Sequence, residues 1–228
     1  MLLLLLAVLP GIVLFAAVRR QDKIEKEPAG LMWKLFLGGA LTTVSAMLLG
    51  WLGGEVVTEL VDTGSIAFLI IDNFLLTALV EEGGKYFVLK RATWRHPAFN
   101  YTYDAVVYAV TAALGFAVLE NVLYVLDSDV ETALLRAVVA VPGHAFDGVY
   151  MGYYYGQAKT AWTAGDRRAT RGNLRNALWV PVLLHGFYDF CLETESGLFT
   201  IIFIVFDIAL TVFAIRRIKK LSRSDAPV

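Results

Sequence analysis

Four clusters of acidic and histidine residues lie inside stretches that are otherwise apolar. The first is Glu81-Glu82-Gly83-Gly84-Lys85 and the last is His185-Gly186-Phe187-Tyr188-Asp189, with Glu120 and His144 between them. Carboxylates and imidazoles can take a proton from water, stabilise an oxyanion or bind zinc. If the chain brings these side chains together, their chemistry indicates a hydrolase.

The segments that carry these clusters have the composition of membrane helices. Of the 228 residues, 57% are hydrophobic, against about 45–50% apolar residues in soluble domains. A helix needs about 20 apolar residues to cross a bilayer. We predict seven such spans, at residues 2–18, 31–52, 66–89, 102–126, 132–158, 174–194 and 197–215.

The basic residues predict how the spans are oriented. Seventeen of the 20 Lys and Arg residues fall in alternate loops and in the C-terminal tail, and the other three, Lys34, Lys85 and Arg136, fall within spans. The charged residues of the remaining loops are all acidic: Glu55, Glu59, Asp62, Asp127, Asp129, Glu131 and Glu195. Because basic loops stay in the cytoplasm, we predict an all-α, polytopic membrane helix bundle with its N-terminus outside and its C-terminus inside. We expect a single domain over residues 1–228.

Composition also excludes several classes of site and partner. The only cysteine, Cys191, rules out a disulfide framework and a cysteine-based zinc site. Aromatic-rich basic patches are absent, so we expect no nucleic-acid partner. The expected partners are the lipid bilayer and proteins within it, and the oligomeric state is left open.

The charges of the third span require partners inside the protein, because a charge at the bilayer centre costs about 2.5–3.5 kcal/mol. Lys85 is four residues after Glu81 and three after Glu82, so it can neutralise one carboxylate from the same helix. One acid is then left for chemistry. We expect Gly83 and Gly84 to let a neighbouring helix approach closely. The alternative is an ion pair that only fixes the helix register.

The fourth span places Phe116 one turn before Glu120, with Asn121 next in sequence. Glu120 is either part of a reactive site or a packing carboxylate that is hydrogen-bonded to another helix. Asp104, at the start of this span, is predicted to be a helix N-cap after the loop at 97–103.

Each histidine of the fifth and sixth spans has an acid on the same helix. Pro142 predicts a kink just before His144, and Gly148, Gly152 and Gly156 form a stripe for helix packing on the same face as His144. Asp147, three residues after His144, is predicted to support it. Asp189, one turn after His185, can fix the orientation of that imidazole.

Taken in order, these motifs resemble the PrsW family of intramembrane proteases, within the group that includes the CAAX prenyl endopeptidases and bacterial Abi proteins. The family pattern is EExxK, then FxxxE followed by Asn, then a His helix, then HxxxD. It is matched here over about residues 66–194. The resemblance implies cleavage of a membrane-anchored protein such as an anti-sigma factor. The prenyl-protease branch has Arg at the position of Lys85 and His at that of Glu120, which argues against prenylated substrates.

Two mechanisms are compatible with these residues. Without a metal, Glu81 or Glu82 takes the proton from water and Lys85 keeps the other carboxylate ionised. His144 then orients the water or donates a proton, and His185, positioned by Asp189, stabilises the oxyanion. With zinc, His144, His185 and one of Glu81 or Glu120 bind the ion, and another Glu is the base. No HExxH motif is present, although the residue types are compatible with zinc. The family resemblance favours the mechanism without a cofactor.

Two other functions remain open from the sequence. Buried acids and histidines also form the proton relays of ion-coupled transporters, although the odd number of spans and the lack of inverted repeats argue against a transporter. The second alternative is an inactive family member that binds membrane proteins.

Overall fold

The computed structural model describes residues 1–126, 128–194 and 196–228, and their regular structure is helical. Two of the acids assigned to outer loops, Asp127 and Glu195, lie outside the described residues. The elements are α1 (Leu2–Gln21), α2 (Ala29–Leu60), α3 (Ile66–Ile71), a π-helical segment (Asp72–Ala78), α4 (Leu79–Thr93), α5 (Asp104–Leu126), α6 (Val130–Val138), α7 (Ala140–Thr163), α8 (Arg167–Glu193) and α9 (Gly197–Arg223). The prediction of an all-α membrane protein is confirmed.

These elements form seven helical rods within the described part of the chain. The α3 helix, the π-helical segment and α4 follow one another without interruption, and only Val139 separates α6 from α7. Four helices, α1, α2, α5 and α9, are long and apolar enough to cross a membrane by themselves. The other three rods carry the clusters at Glu81, His144 and His185, and the cluster at Glu120 lies on α5. The number of spans and their orientation stay predictions.

Local sequence signals explain where several helices begin and end. Ser65, Asp129 and Asp166 cap α3, α6 and α8, each accepting a hydrogen bond from a backbone N–H three residues later. Gly165 adopts a positive φ of 78° at the end of α7, a conformation that favours glycine.

The α5 helix is the centre of the bundle. It packs against α1, α2, α4, α6 and α7, and most of it is buried, whereas α1, α2 and α9 are mostly exposed. Exposed leucine and isoleucine side chains on those outer helices fit a surface that faces lipid. Glu120 therefore lies on the most enclosed helix of the protein.

The glycine stripe of α7 packs within the chain, against α5. A Cβ atom built at Gly152 would lie 2.6 Å from both the carbonyl oxygen of Ala105 and the Cα of Val106. Of the two glycines of α4, Gly84 does face a neighbouring helix, since a Cβ there would lie 3.0 Å from that of Thr42. Gly83 has open space around it, so the close approach expected there is wrong.

We predict that Gly152→Ala lowers the midpoint of thermal unfolding, measured in detergent micelles. The added methyl group would clash with the backbone of α5, and such overpacking costs about 1–3 kcal/mol. Gly83→Ala is the matched control and is expected to raise the midpoint slightly, because alanine favours helix by about 0.8–1 kcal/mol. Equal losses in the two variants would show that the approach of α7 to α5 is not as tight as described.

Two local predictions require correction. The helix break before His144 lies at Val139, three residues before Pro142, because the proline ring cannot donate to the carbonyl of Val138. Asp104 does not cap α5: its Oδ2 accepts the N–H groups of Asn100, at 3.0 Å, and Tyr101, at 2.7 Å. Those amides belong to the preceding loop, so Asp104 fixes the loop and not the first turn of the helix.

Candidate active site

The predicted acids and histidines converge from four rods on one interior region. Glu81, Glu82 and Lys85 lie on α4, Glu120 on α5, His144 on α7, and His185 and Asp189 on α8. Depths counted along the sequence place Glu120 and Asp189 closer to the outer surface than Glu81 and His144. The packing nevertheless brings Glu120 into contact with His144 of α7, and Asp189 contacts His185 one turn earlier on its own helix.

Glu82 is fully buried between two hydrogen-bond donors. Its Oε1 atom accepts from Lys85 Nζ at 2.7 Å and lies 2.9 Å from Nδ1 of His185. The pairing of Glu82 with Lys85 follows from their spacing of three residues on one helix. The contact to His185 links α4 to α8.

His185 lies between two carboxylates. Its Nε2 atom is 3.0 Å from Oδ2 of Asp189, one turn later on α8, while Nδ1 faces Glu82. An ionised carboxylate can only accept a hydrogen bond. An imidazole held between two ionised carboxylates therefore donates from both nitrogens and is positively charged.

The neighbours of His144 fix its tautomer. Lys85 Nζ is 3.0 Å from Nδ1, and Oε2 of Glu120 is 3.1 Å from Nε2. An ammonium group only donates, so Nδ1 accepts and the proton of the neutral ring lies on Nε2, directed at Glu120. The ring of Phe116 packs edge-on against His144 at 5.4 Å and lies 4.1 Å from Lys85 Nζ.

Arg136, on α6, is a member of this network that the sequence did not assign to it. Its Nη2 atom donates to Oε2 of Glu120 at 2.8 Å, and its Nε atom donates to Oδ1 of Asn121 at 2.9 Å. The guanidinium also lies 3.8 Å from the ring centre of Tyr124. An arginine within an apolar segment needs an acidic or polar partner inside the protein. This requirement is the one sequence signal that could have placed Arg136 in the network.

Oε2 of Glu81 has no hydrogen-bond partner, and it lies 3.6 Å from Lys85 Nζ and 3.9 Å from Nε2 of His185. Oε2 of Glu82 also lacks a partner, but Glu82 is held through its Oε1 atom by Lys85 and His185. Its side chain is 11% exposed, against 0% for Glu82. Glu81 lines a cavity of about 350 Å³, and Glu82 does not. The other polar residues lining this cavity include Glu120, Arg136, His144, Asp147, His185, Tyr188 and Asp189.

Asp147 faces the same cavity without joining the hydrogen-bonded network. It is 4% exposed, and its Oδ1 atom has no hydrogen-bond partner. The supporting role that the sequence suggested for Asp147 is therefore not a hydrogen bond to His144 within the described contacts.

A π-helical segment precedes the Glu81 cluster, and nothing in the sequence predicted it. Within it, Asn73 donates to the carbonyl of Leu69 at 2.9 Å and to Glu193 at 2.8 Å. Asn73 and Thr77 both line the cavity. The segment thus shapes one wall of the cavity, and π-helical turns are frequent at functional sites.

Four side chains of this site carry donor atoms of the kind that zinc binds. Glu81, Glu82, His144 and His185 can each offer one donor atom within 4.8 Å of the others, and nitrogen and oxygen donors suit zinc. In the present arrangement, however, Nδ1 of His144 accepts from Lys85 and Nε2 carries the proton. Neither nitrogen therefore has a free lone pair. The Lys85 ammonium also lies between the two acids, so a zinc ion at this position would have to displace Lys85 from both acids and from His144.

Comparison with known proteins gives consistent matches. The family model described as PrsW family intramembrane metalloprotease matches residues 27–215. The chain is 36% identical to Protease PrsW of Oceanobacillus iheyensis, over 92% of each chain. It is 35% identical to that of Geobacillus kaustophilus, over 83% of this chain and 79% of the relative. It is 34% identical to that of Bacillus subtilis, over 92% and 91%. No solved structure matches.

These matches support the protease prediction and not the transporter alternative. They cover the four clusters and most of the rest of the chain, so they extend well beyond the short motifs that first suggested the family. Together with the apolar helices, they identify a multi-pass protein of the cell membrane. The chain belongs to the PrsW family of intramembrane proteases.

Proposed function

We propose that this protease cleaves membrane-anchored proteins with a water that Glu81 activates, without a zinc ion. The observation that carries the proposal is the unpartnered Oε2 atom of Glu81 in the cavity. Each of the other three acids of the network is hydrogen-bonded to a histidine: Glu82, Glu120 and Asp189. Asp147 also has an unpartnered oxygen in the cavity, but among the described contacts no ion pair links it to Lys85 or to a histidine, whereas Glu81 lies beside both Lys85 and His185. The proton acceptor is therefore assigned to Glu81.

The proposed reaction begins with a water molecule in the cavity beside Glu81. Glu81 takes a proton from the water, whose oxygen bonds to the carbonyl carbon of the substrate. The carbon–nitrogen bond then breaks, and the proton passes from Glu81 to the leaving amine. Lys85 keeps Glu82 ionised, and Glu82 with Asp189 holds His185 in place.

The carbonyl oxygen becomes negatively charged during this reaction and needs a positive group nearby. His185 and His144 both line the cavity, and their ring centres are 5.1 Å apart. A positively charged His185 would stabilise the oxyanion, and removal of one such group typically costs about 10²–10³ in turnover. His144, held by Lys85 and Glu120, would orient the water.

The proposed substrate is a protein with a membrane anchor, of the anti-sigma-factor type implied by the family resemblance. The site lies among membrane helices, and its cavity is bounded partly by apolar side chains such as Leu184 and Leu192. The substrate can be identified by comparing N-terminal peptides of the membrane proteome between cells with the wild-type protein and cells with Glu81→Gln. An anchored protein that stays uncut only with the variant is the candidate.

We predict that the purified protein still cleaves this substrate after exhaustive chelation. Because Lys85 and Glu120 already occupy both nitrogens of His144, removal of metal should leave turnover unchanged. Elemental analysis should find no stoichiometric zinc. Loss of cleavage on chelation, with recovery on addition of one equivalent of zinc, would instead require His144, His185 and Glu81 as ligands.

A further inference from the structure

A second group of acids lies at the opposite end of α5 from Glu120. Glu25 and Glu27 belong to the connection between α1 and α2, and Asp104 is the first residue of α5. Each can offer a carboxylate oxygen within 4.8 Å of the others. Sixteen residues of helix separate Asp104 from Glu120, which is about 24 Å at 1.5 Å per residue. The group is therefore separate from the catalytic network.

Two of these acids are buried and each has one oxygen without a partner. Glu27 is 4% exposed and Asp104 is 0% exposed. Tyr108 donates its hydroxyl proton to Oε2 of Glu27, and the loop amides donate to Oδ2 of Asp104. Oε1 of Glu27 and Oδ1 of Asp104 have no hydrogen-bond partner. Each carboxylate is thus held through one oxygen. The two side chains are also within hydrogen-bond reach of each other, so a cation or a shared proton can lie between them.

The lysine between Glu25 and Glu27 in the sequence is engaged elsewhere. Lys26 donates to the carbonyl oxygens of Arg19 and Asp22. Among the described residues, no Lys or Arg forms an ion pair with Glu25, Glu27 or Asp104. Uncompensated buried carboxylates are costly, and burial raises the pKa of the Glu27 carboxyl. These acids therefore need a cation or a proton.

We propose that Glu25, Glu27 and Asp104 bind a hard divalent cation, Mg²⁺ or Ca²⁺. Carboxylate oxygens are the ligands that both ions prefer. Glu27 and Asp104 supply buried oxygens, while the exposed Glu25 leaves the site open to solvent on one side. An ion at this position would connect the segment between α1 and α2 to the start of α5. The basic loops predict that this end of the bundle is cytoplasmic.

The test is thermal unfolding of the full-length protein in detergent micelles, after chelation and removal of the chelator. MgCl₂, CaCl₂ and NaCl are added in separate arms at matched ionic strength. We expect millimolar MgCl₂ or CaCl₂, but not NaCl, to raise the midpoint by about 2–4 °C, because an ion that binds only the folded state stabilises it. The arm with the larger shift identifies the preferred ion.

Three variants locate the response. Glu27→Gln keeps the shape of the side chain but removes its charge. We expect this variant to need at least about ten times more of the ion for the same rise in the unfolding midpoint. Glu55→Gln, at an exposed position on α2, is the matched control and should respond like the wild type. Glu81→Gln should also respond like the wild type, which separates this site from the catalytic network.

Two results would overturn the proposal. One is an equal response to the ions in Glu27→Gln and the wild type. The other is no response in the wild type together with stabilisation on acidification, which would show that Glu27 and Asp104 share a proton. Because cleavage is not the readout, this test is independent of the proposed mechanism.

Discussion

Glu81→Gln is expected to lower kcat about 10³-fold, within the range of about 10²–10⁴ that general acid–base catalysis contributes. The amide keeps the shape of the side chain but cannot take a proton from water. In the wild type, Oε2 of Glu81 has no hydrogen-bond partner, and Glu81 lines the cavity. The measurement is cleavage of the identified substrate by purified protein, with thermal unfolding as the check that the variant is folded.

Asp207→Asn is the control for this prediction, since Asp207 is an acid on α9 that does not line the cavity. It should cleave like the wild type. Glu82→Gln and His185→Ala should also lose cleavage, because Glu82 holds His185 in place and His185 is the group proposed to stabilise the oxyanion. Wild-type turnover by Glu81→Gln, with loss in Glu120→Gln, would make Glu120 the base.

Lys85→Met is expected to have the largest effect on stability. The ammonium is fully buried and lies 2.7 Å from Glu82, 3.6 Å from Glu81 and 3.0 Å from His144. Methionine fills a similar volume but leaves two acids without their cation, and breaking a buried pair in this way costs about 3–5 kcal/mol. We expect a lower midpoint of thermal unfolding and no detectable cleavage.

A double variant separates the loss of charge balance from the loss of packing. Adding Glu82→Gln to Lys85→Met removes the partner carboxylate, so most of the stability should return while cleavage does not. Lys34→Met, at an exposed position on α2, is the control for the substitution itself. If the double variant stays as unstable as Lys85→Met, then the volume and shape of Lys85, and not its charge, account for the effect.

Contacts within one helix could be predicted because helix geometry alone fixes them. The pairs Glu82–Lys85 and His185–Asp189 are three and four residues apart, and any helix brings such residues together. The glycine stripe of α7 was found for the same reason. Asp104 was assigned wrongly because an acid before a helix can bind the amides of the loop as well as those of the first turn.

Contacts between helices were decided by the tertiary structure. The sequence could not distinguish Glu81 from Glu82, and only the rotation of α4 turns Glu81 toward the cavity and Glu82 toward His185. The link from Arg136 to Glu120 likewise depends on how α6 meets α5.

The sequence by itself determined a membrane bundle with acids and histidines inside it, because apolar length and the cost of buried charge are properties of each segment. The tertiary structure decided which acid has a free oxygen and which histidine nitrogen is occupied. Those outcomes depend on the depth, rotation and spacing of several helices at once, and these are fixed only when the helices pack together.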